Sequence, residues 1–301
     1  MPHTRSPFRY PGGKSQLSNY IITLLFKNKI NGTYIEPFAG GAGIAIDLLL
    51  SGNVKRIAIN DYDTSIYSVW YAILNDTDML INMISSVPFD YTVPNAVTPK
   101  SMFNFWKKQK DTHEQSDKSK YSIENAFATL MLNRMNISGV INGGPIGGKS
   151  QSGKYKVDSR FNKKTLINKI RKISEQRDNI LLYNLDANEF INVIKKSFSP
   201  DNTFIFFDPP YFVQGKNLYM SFFDDKQHDI LAKNILSLKN YYWITTYDHA
   251  PQIFELYKHA DKQYEYSLNY SAKKRGKALE YLFASHITEI PFLENMSTLQ
   301  V

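Results

Sequence analysis

Thr203-Phe204-Ile205-Phe206-Phe207 is an apolar run of strand length that stops at Asp208-Pro209-Pro210-Tyr211. A run of that length and composition reads as a buried strand. Two prolines cannot continue a hydrogen-bonded ladder, so the strand ends there. An acid, two prolines and a tyrosine at the carboxyl end of a buried strand occupy the place where open α/β sheets bind ligands. Asp208 and the Pro209 carbonyl are acceptors suited to the donors of a planar amino group, and Tyr211 offers a flat face on which a nucleobase can stack. A lone Asp-Pro after a strand is an ordinary turn. The second proline and the tyrosine favour a catalytic motif.

The same strand rhythm recurs on either side. Thr33-Tyr34-Ile35-Glu36 reads as a strand leading into Pro37-Phe38-Ala39-Gly40-Gly41-Ala42-Gly43, an apolar helix over 44–50, and a second strand over 54–59 that ends at Asn60-Asp61. Strand, glycine turn, helix and strand make a βαβ unit. Further strands are expected at 179–183, 241–246 and 279–284, and a helix runs through Ile21, Leu24, Leu25 and Phe26. From about 70 to 161 the pattern turns helical and polar, with a mobile stretch expected at 107–120. The expected fold is α/β: a doubly wound, Rossmann-like sheet from residues 1–69 and 162–301, interrupted by a mainly helical insert at 70–161.

Charge singles out one stretch, which begins within the insert and runs past its end. Residues 101–180 hold 16 Lys/Arg against 7 Asp/Glu, whereas the rest of the chain has 20 against 21. One region carries essentially the whole excess, the electrostatic footprint expected for a polyanion. The chain has no cysteine, which excludes disulfides, thiolate metal sites and a cysteine nucleophile. Its six histidines are scattered, with no close pair at metal-ligand spacing, and no metal is expected. No apolar run approaches the roughly 20 residues needed to span a bilayer. The first residues lack the apolar segment of a secretory signal. The reading is a soluble cytoplasmic protein.

The glycine loops invite two nucleotide motifs and match neither. Gly41-x-Gly43 is followed by Ile44, Ala45 and Ile46, so the third glycine of the dinucleotide fingerprint is missing. Gly12-Gly13-Lys14-Ser15 would need a glycine at position 8 to be a phosphate loop, and that position is Phe8. What remains is a close backbone approach to a small ligand, allowed by residues without bulky side chains. Asp61, at the end of the second strand, is placed to accept both hydroxyls of a ribose. Asp186, following the 179–183 strand, is placed to face the base of such a ligand. Each of these acids alone is as well explained as a helix cap. Three of them, Asp61, Asp186 and Asp208, at three strand ends of one sheet favour ligand binding.

In order along the chain, Tyr10-Pro11-Gly12-Gly13-Lys14, Glu36 to Gly43, Asn60-Asp61, Asp208-Pro209-Pro210-Tyr211 and Arg275-Gly276-Lys277 followed by Glu280 resemble the Dam-like DNA adenine-N6 methyltransferases over nearly the whole length. The arrangement is that of the alpha group, with the recognition region between the cofactor half and the Asp-Pro-Pro-Tyr half. The resemblance implies S-adenosylmethionine as cofactor, held by Tyr10, Lys14, Glu36, Phe38, Ala39, Gly40, Gly41, Asp61, Asp186 and Asp208. It implies catalysis at Asp208, Pro209, Pro210 and Tyr211 on an adenine flipped out of double-stranded DNA. Methylation of cytosine N4 or of RNA adenine uses the same hardware and stays open, as does a catalytically silent DNA-binding relative. Carbon-5 cytosine methylation, which needs a cysteine, is excluded.

The basic region supplies the expected DNA contacts: Arg134, Asn136, Lys149, Lys154, Lys156 and Arg160. Arginine and asparagine are side chains that read base edges bidentately in a major groove. Where the best-known relatives, which recognise GATC, carry Tyr-Asn-Gly-Leu and Asn-Val-Pro-Phe-Gly segments, this chain has Asn136-Ile137-Ser138-Gly139-Val140 and Gly143-Gly144-Pro145-Ile146-Gly147. The resemblance therefore does not extend to GATC. A monomer or weak dimer is expected, associated with the nucleoid through DNA; a partner restriction endonuclease is not legible.

Overall fold

A computed structural model describes residues 4–9, 17–212, 223–270, 276–292 and 296–299; Tyr10, Lys14 and Arg275 lie outside the described residues. The chain forms two compact units, one of Met1–Gly13 with Asp63–Asp178, the other of Lys14–Tyr62 with Asn179–Val301.

The second unit is built on one sheet. Its strands are β1 (Thr33–Glu36), β2 (Arg56–Asn60), β3 (Ile180–Tyr183), β4 (Thr203–Phe207), β5 (Tyr242–Asp248), β6 (Lys262–Tyr270), β7 (Gly276–Ala284) and β8 (Met296–Thr298). They lie in the order β3-β2-β1-β4-β5-β7-β6-β8. The first five are parallel, with Ile35 opposite both Ala58 and Ile205, and Ile205 opposite Trp243. β7 enters antiparallel between β5 and β6, and β8 closes the edge against β6. Sequence order reverses between β1 and β4, the switch point at which α/β sheets open a crevice at their carboxyl ends.

Helices cover both faces. Ile35, Ala58, Ile205, Phe207 and Trp243 form a core with Phe190 and Ile194 of α8 (Ala187–Ser197), Leu231 and Ile235 of α9 (Asp225–Leu236) and Ile253 of α10 (Pro251–Tyr257). The alternate positions project to the other face, where Tyr34 and Phe204 stack at 6.2 Å and α2 (Gly43–Leu50), beside α1 (Ser18–Lys27), packs on β1 and β2. Burial on both faces explains why β1, β2 and β4 read as almost unbroken apolar runs. Each fully buried Phe or Ile adds about 1.5–3 kcal/mol.

The first unit is helical, with α3 (Thr64–Asn75), α4 (Thr77–Ser85), α5 (Pro99–Gln115), α6 (Ile123–Met135) and α7 (Lys163–Ser174). α6 is buried almost all round, through Ala126, Ala128, Leu130, Met131 and Leu132, and α3 and α5 pack against it. The stretch expected to be mobile begins inside α5, which starts with Thr98 as its cap and buries Met102, Trp106, Gln109 and His113. His113 is held by Asn125 and Thr129, each 3.1 Å from Nδ1. A polar buried face hid this helix from its hydropathy pattern. The unit extends beyond the expected 70–161 because α3 and α7 pack on each other and on α6 and α4.

Candidate active site

The crevice at the carboxyl ends of β1, β2 and β3 is stitched by Asn60. Its Nδ2 donates to the carbonyls of Pro37 (2.9 Å) and Leu185 (3.0 Å), and its Oδ1 accepts the Leu185 N–H at 2.9 Å. One buried amide thus joins the loops that follow three strands. Next to it, Asp61 Oδ2 accepts the N–H of Gly40 at 2.7 Å. Gly40 sits at φ 46° and Ala42 at φ 44°, so the chain makes a left-handed turn over the strand end before α2 begins at Gly43. Gly40 adopts that backbone without strain; Ala42 adopts it at a cost, which the Ala39 carbonyl offsets by accepting the Ala42 N–H at 2.6 Å.

Glu36 ends β1 with its carboxyl buried below this turn, Oε1 accepting the Ala45 N–H of α2 at 3.1 Å. Burial pushes its pKa up to about 8; the Ala45 bond pulls the other way and the charge of Asp208 adds to the rise. The carboxyl therefore keeps its proton at neutral pH. Glu36 braces the loop from beneath rather than lining its surface.

Asp208 follows β4 directly and is half-buried, its Oδ1 accepting a long 3.5 Å bond from the Thr246 hydroxyl of β5. Pro209 and Pro210 are buried. Tyr211 is only 7% exposed, and its hydroxyl donates to Glu280 Oε1 at 2.5 Å. The Phe212 N–H donates to Asp248 Oδ1 at 2.8 Å. Phe38, on the glycine-loop side, meets Phe223 edge to face at 6.0 Å.

The sheet thus brings together Glu36, Phe38, Ala39, Gly40, Gly41 and Asp61 on one side of the switch point and Asp208 to Tyr211 on the other. Asp186 is the N-cap of α8, with Oδ1 accepting the Asn188 N–H at 2.8 Å. Asn60, Thr246, Asp248 and a role for Glu280 were not foreseen; the only sequence signal was the place of Asn60 and Glu280 in the resemblance motifs.

The helical unit sorts the expected DNA contacts differently. Asn136 is fully buried: its Oδ1 accepts from Trp106 Nε1, and its Nδ2 donates to the Val140 and Ile141 carbonyls, both at 2.8 Å. All its polar atoms are used internally, so Asn136 is corrected from a DNA contact to a brace. Arg134 donates to the carbonyls of Pro7 and Arg160 and is likewise committed to the fold. Burial, then the charges of Arg9 and Arg160, lower its pKa to about 10. Arg9 donates to the Arg134 and Asn136 carbonyls. Three guanidinium groups are gathered here, and among the described residues no carboxyl group pairs with any of them. Lys149, Lys154 and Arg160 are exposed and Lys156 partly so, on a loop organised by buried Gln151, whose amide bonds Ile146, Gly148 and Val157.

Among the described residues no helix is long and apolar enough to cross a membrane. The model of the D12 class N6 adenine-specific DNA methyltransferases matches residues 10–274. The Type II methyltransferase M.MjaIII of Methanocaldococcus jannaschii is 25% identical over 248 residues, 78% of each chain. Two structures of the rRNA methyltransferase aviRa from Streptomyces viridochromogenes align with 93% and 89% of this chain and 88% and 85% of theirs, at 10% and 11% identity and TM-scores of 0.39 and 0.34. The family match runs from the opening glycine loop, through the β1 turn and the helical unit, past the Asp-Pro-Pro-Tyr turn, and on that ground the chain belongs to the D12 class N6 adenine-specific DNA methyltransferases.

Proposed function

We propose that the chain methylates adenine N6 at a short, specific sequence in double-stranded DNA, using S-adenosylmethionine and a flipped-out target base. The observation that carries this reading is the meeting, at the switch point between β1 and β4, of the Gly40–Ala42 turn and Asp61 with the Asp208 to Tyr211 turn.

The donors and acceptors at this crevice fit the cofactor chemically. Asp61, braced by Gly40, offers its carboxyl to ribose hydroxyls, and Ala39, Gly40 and Gly41 leave the backbone open to close approach. Phe38 adds an aromatic face, and Tyr10 and Lys14 complete the set by the family resemblance. S-adenosylmethionine, when bound, supplies an electrophilic methyl group. Asp208 and the Pro209 carbonyl accept from the two N–H groups of the adenine amino group, orienting its nitrogen for direct attack. The nitrogen–methyl bond forms as the methyl–sulfur bond breaks, and the methylated nitrogen, now acidic, loses one proton along its bond to Asp208 and on to solvent. Tyr211 replaces base stacking lost on flipping, a cost of roughly a few kcal/mol. Direct transfer needs no covalent intermediate on the protein, in keeping with a chain without cysteine. Alignment supplies much of the rate, and Asp208 acts as an orienting acceptor rather than a strong base.

The helical unit is the target-recognition module in this reading. Arg9 and Arg160, with Lys149, Lys154 and Lys156, form a cationic surface suited to DNA phosphates. The test is transfer of labelled methyl to DNA followed by nucleoside analysis. Label in N6-methyladenine, lost in Asp208→Ala, is the expected result; label in N4-methylcytosine, or in RNA alone, overturns it.

A further inference from the structure

We infer that Glu280 is a positioning residue for methyl transfer, acting through the hydroxyl of Tyr211 to set the angle of its ring. The inference rests on Asp208 to Tyr211 being the methyl-acceptor site and goes beyond it by asking what holds that turn.

The turn cannot hold itself. Pro209 and Pro210 have no N–H, so two consecutive residues offer no backbone donor to any neighbour. The next two residues do the anchoring. Phe212 gives its N–H to Asp248 Oδ1 at 2.8 Å, and Tyr211 gives its hydroxyl to Glu280 Oε1 at 2.5 Å. Asp248 and Glu280 are paired directly across β5 and β7, so one rung of the sheet carries both anchors. The second oxygen of Glu280 accepts the hydroxyl of Tyr266, which faces it from β6. A carboxyl gripped by two tyrosines is fixed in place, and Glu280 is only 1% exposed.

Its neighbours on β7, Tyr281, Leu282 and Phe283, are buried hydrophobic residues. Burying an acid in the sheet is costly unless its bonds are made. The phenol oxygen is the far end of Tyr211, so tethering it fixes the tilt of the whole ring. The stacked adenine inherits that tilt while its amino group must meet Asp208 and the Pro209 carbonyl. A misplacement of about 1 Å at such a centre costs up to about a hundredfold in rate.

The test uses the full-length enzyme with cognate DNA in single-turnover methyl transfer. Tyr211→Phe removes one oxygen and keeps the ring; Glu280→Gln keeps the shape and removes one of the two acceptors. Each should slow transfer about three- to tenfold, the range for one hydrogen bond, with DNA and S-adenosylmethionine dissociation constants unchanged. The double variant should be no slower than the slower single one, because Tyr211→Phe removes, and Glu280→Gln weakens, the same tether. Full-rate transfer by Tyr211→Phe, or effects that multiply in the double variant, overturns the inference. So does a lower melting temperature for Glu280→Gln at an unchanged rate. If Glu280→Gln fails to fold, Tyr211→Phe decides alone. Asp208→Ala separates the two levels: if it retains turnover, the site assignment falls; if it is dead while Tyr211→Phe runs at full rate, only the role of Glu280 falls.

Discussion

Glu36→Gln should abolish a pH dependence built into the sheet unit. Glu36 has its pKa raised from 4.5 to about 8, first by burial and further by Asp208. Between those values the folded chain holds a proton that the unfolded chain has released. The contribution of Glu36 to stability is therefore fully present below pH 4.5 and is lost as pH rises through about 8. At about 1.36 kcal/mol per pH unit, the span from pH 4.5 to pH 7 amounts to about 3 kcal/mol. Glutamine imitates the protonated acid, keeps an oxygen for the Ala45 N–H and never titrates. The variant should match the wild type near pH 4.5 and exceed it increasingly at pH 6, 7 and 8. Urea unfolding followed by tryptophan fluorescence across that range reads the difference, since Trp243 reports from the core of the same unit. Parallel pH profiles for the two proteins would refute the reasoning, because the buried carboxyl would then ionise equally in both states. Asp208→Asn gives a second handle: removing that charge should bring the Glu36 pKa down.

Asp61→Ala should weaken S-adenosylmethionine binding by about 1.5–3 kcal/mol, the scale of bonds to a charged acceptor, read by calorimetry. An unchanged dissociation constant would assign Asp61 to bracing the glycine loop through Gly40. Replacing Lys149, Lys154 and Lys156 by Ala should weaken all DNA sequences about equally and make the dependence of log K on log salt shallower by about 0.9 per lost phosphate contact; titrations at several salt concentrations show it, and an unchanged slope places the contacts elsewhere. Asn136→Ala should destabilise the helical unit by about 1–3 kcal/mol, since it strands Trp106 Nε1 and two carbonyls, and thermal unfolding measures it.

The parallel strands were legible because each is an apolar run closed by a turn residue, and the crevice because Asp61 and Asp208 stand at the ends of two of them. β6 was not, since Lys262-Gln263-Tyr264-Glu265-Tyr266 alternates polar and aromatic residues in a way that reads equally as a surface segment. α5 was misjudged because its inward side includes the polar Gln109 and His113, and the bonds of Trp106 to Asn136 and of His113 to Asn125 reach residues outside the helix. Asn136 illustrates the general difficulty. An amide beside a glycine turn looks the same whether it reads a base or pairs with carbonyls, and only the partners decide. Glu280 could be noticed by motif, but its bond to Tyr211 spans 69 positions and leaves no local pattern.

The adjacency of β1 and β4 also sets a timetable for synthesis. β1 is complete at residue 36, yet its second neighbour is complete only at residue 207, after the whole helical unit. At about 5–20 residues per second on the ribosome, the open edge of β1 waits roughly 10–35 s for its partner. During that wait it is an unpaired apolar edge, the kind of surface that recruits wrong strands. α3 and α7, the first and last helices between the two halves, pack on each other. Early folding of that unit therefore converts a long flexible connection into a compact one and lowers the entropy cost of closing the sheet. Any lengthening of the helical unit prolongs the exposure, so its size is constrained by the nascent sheet.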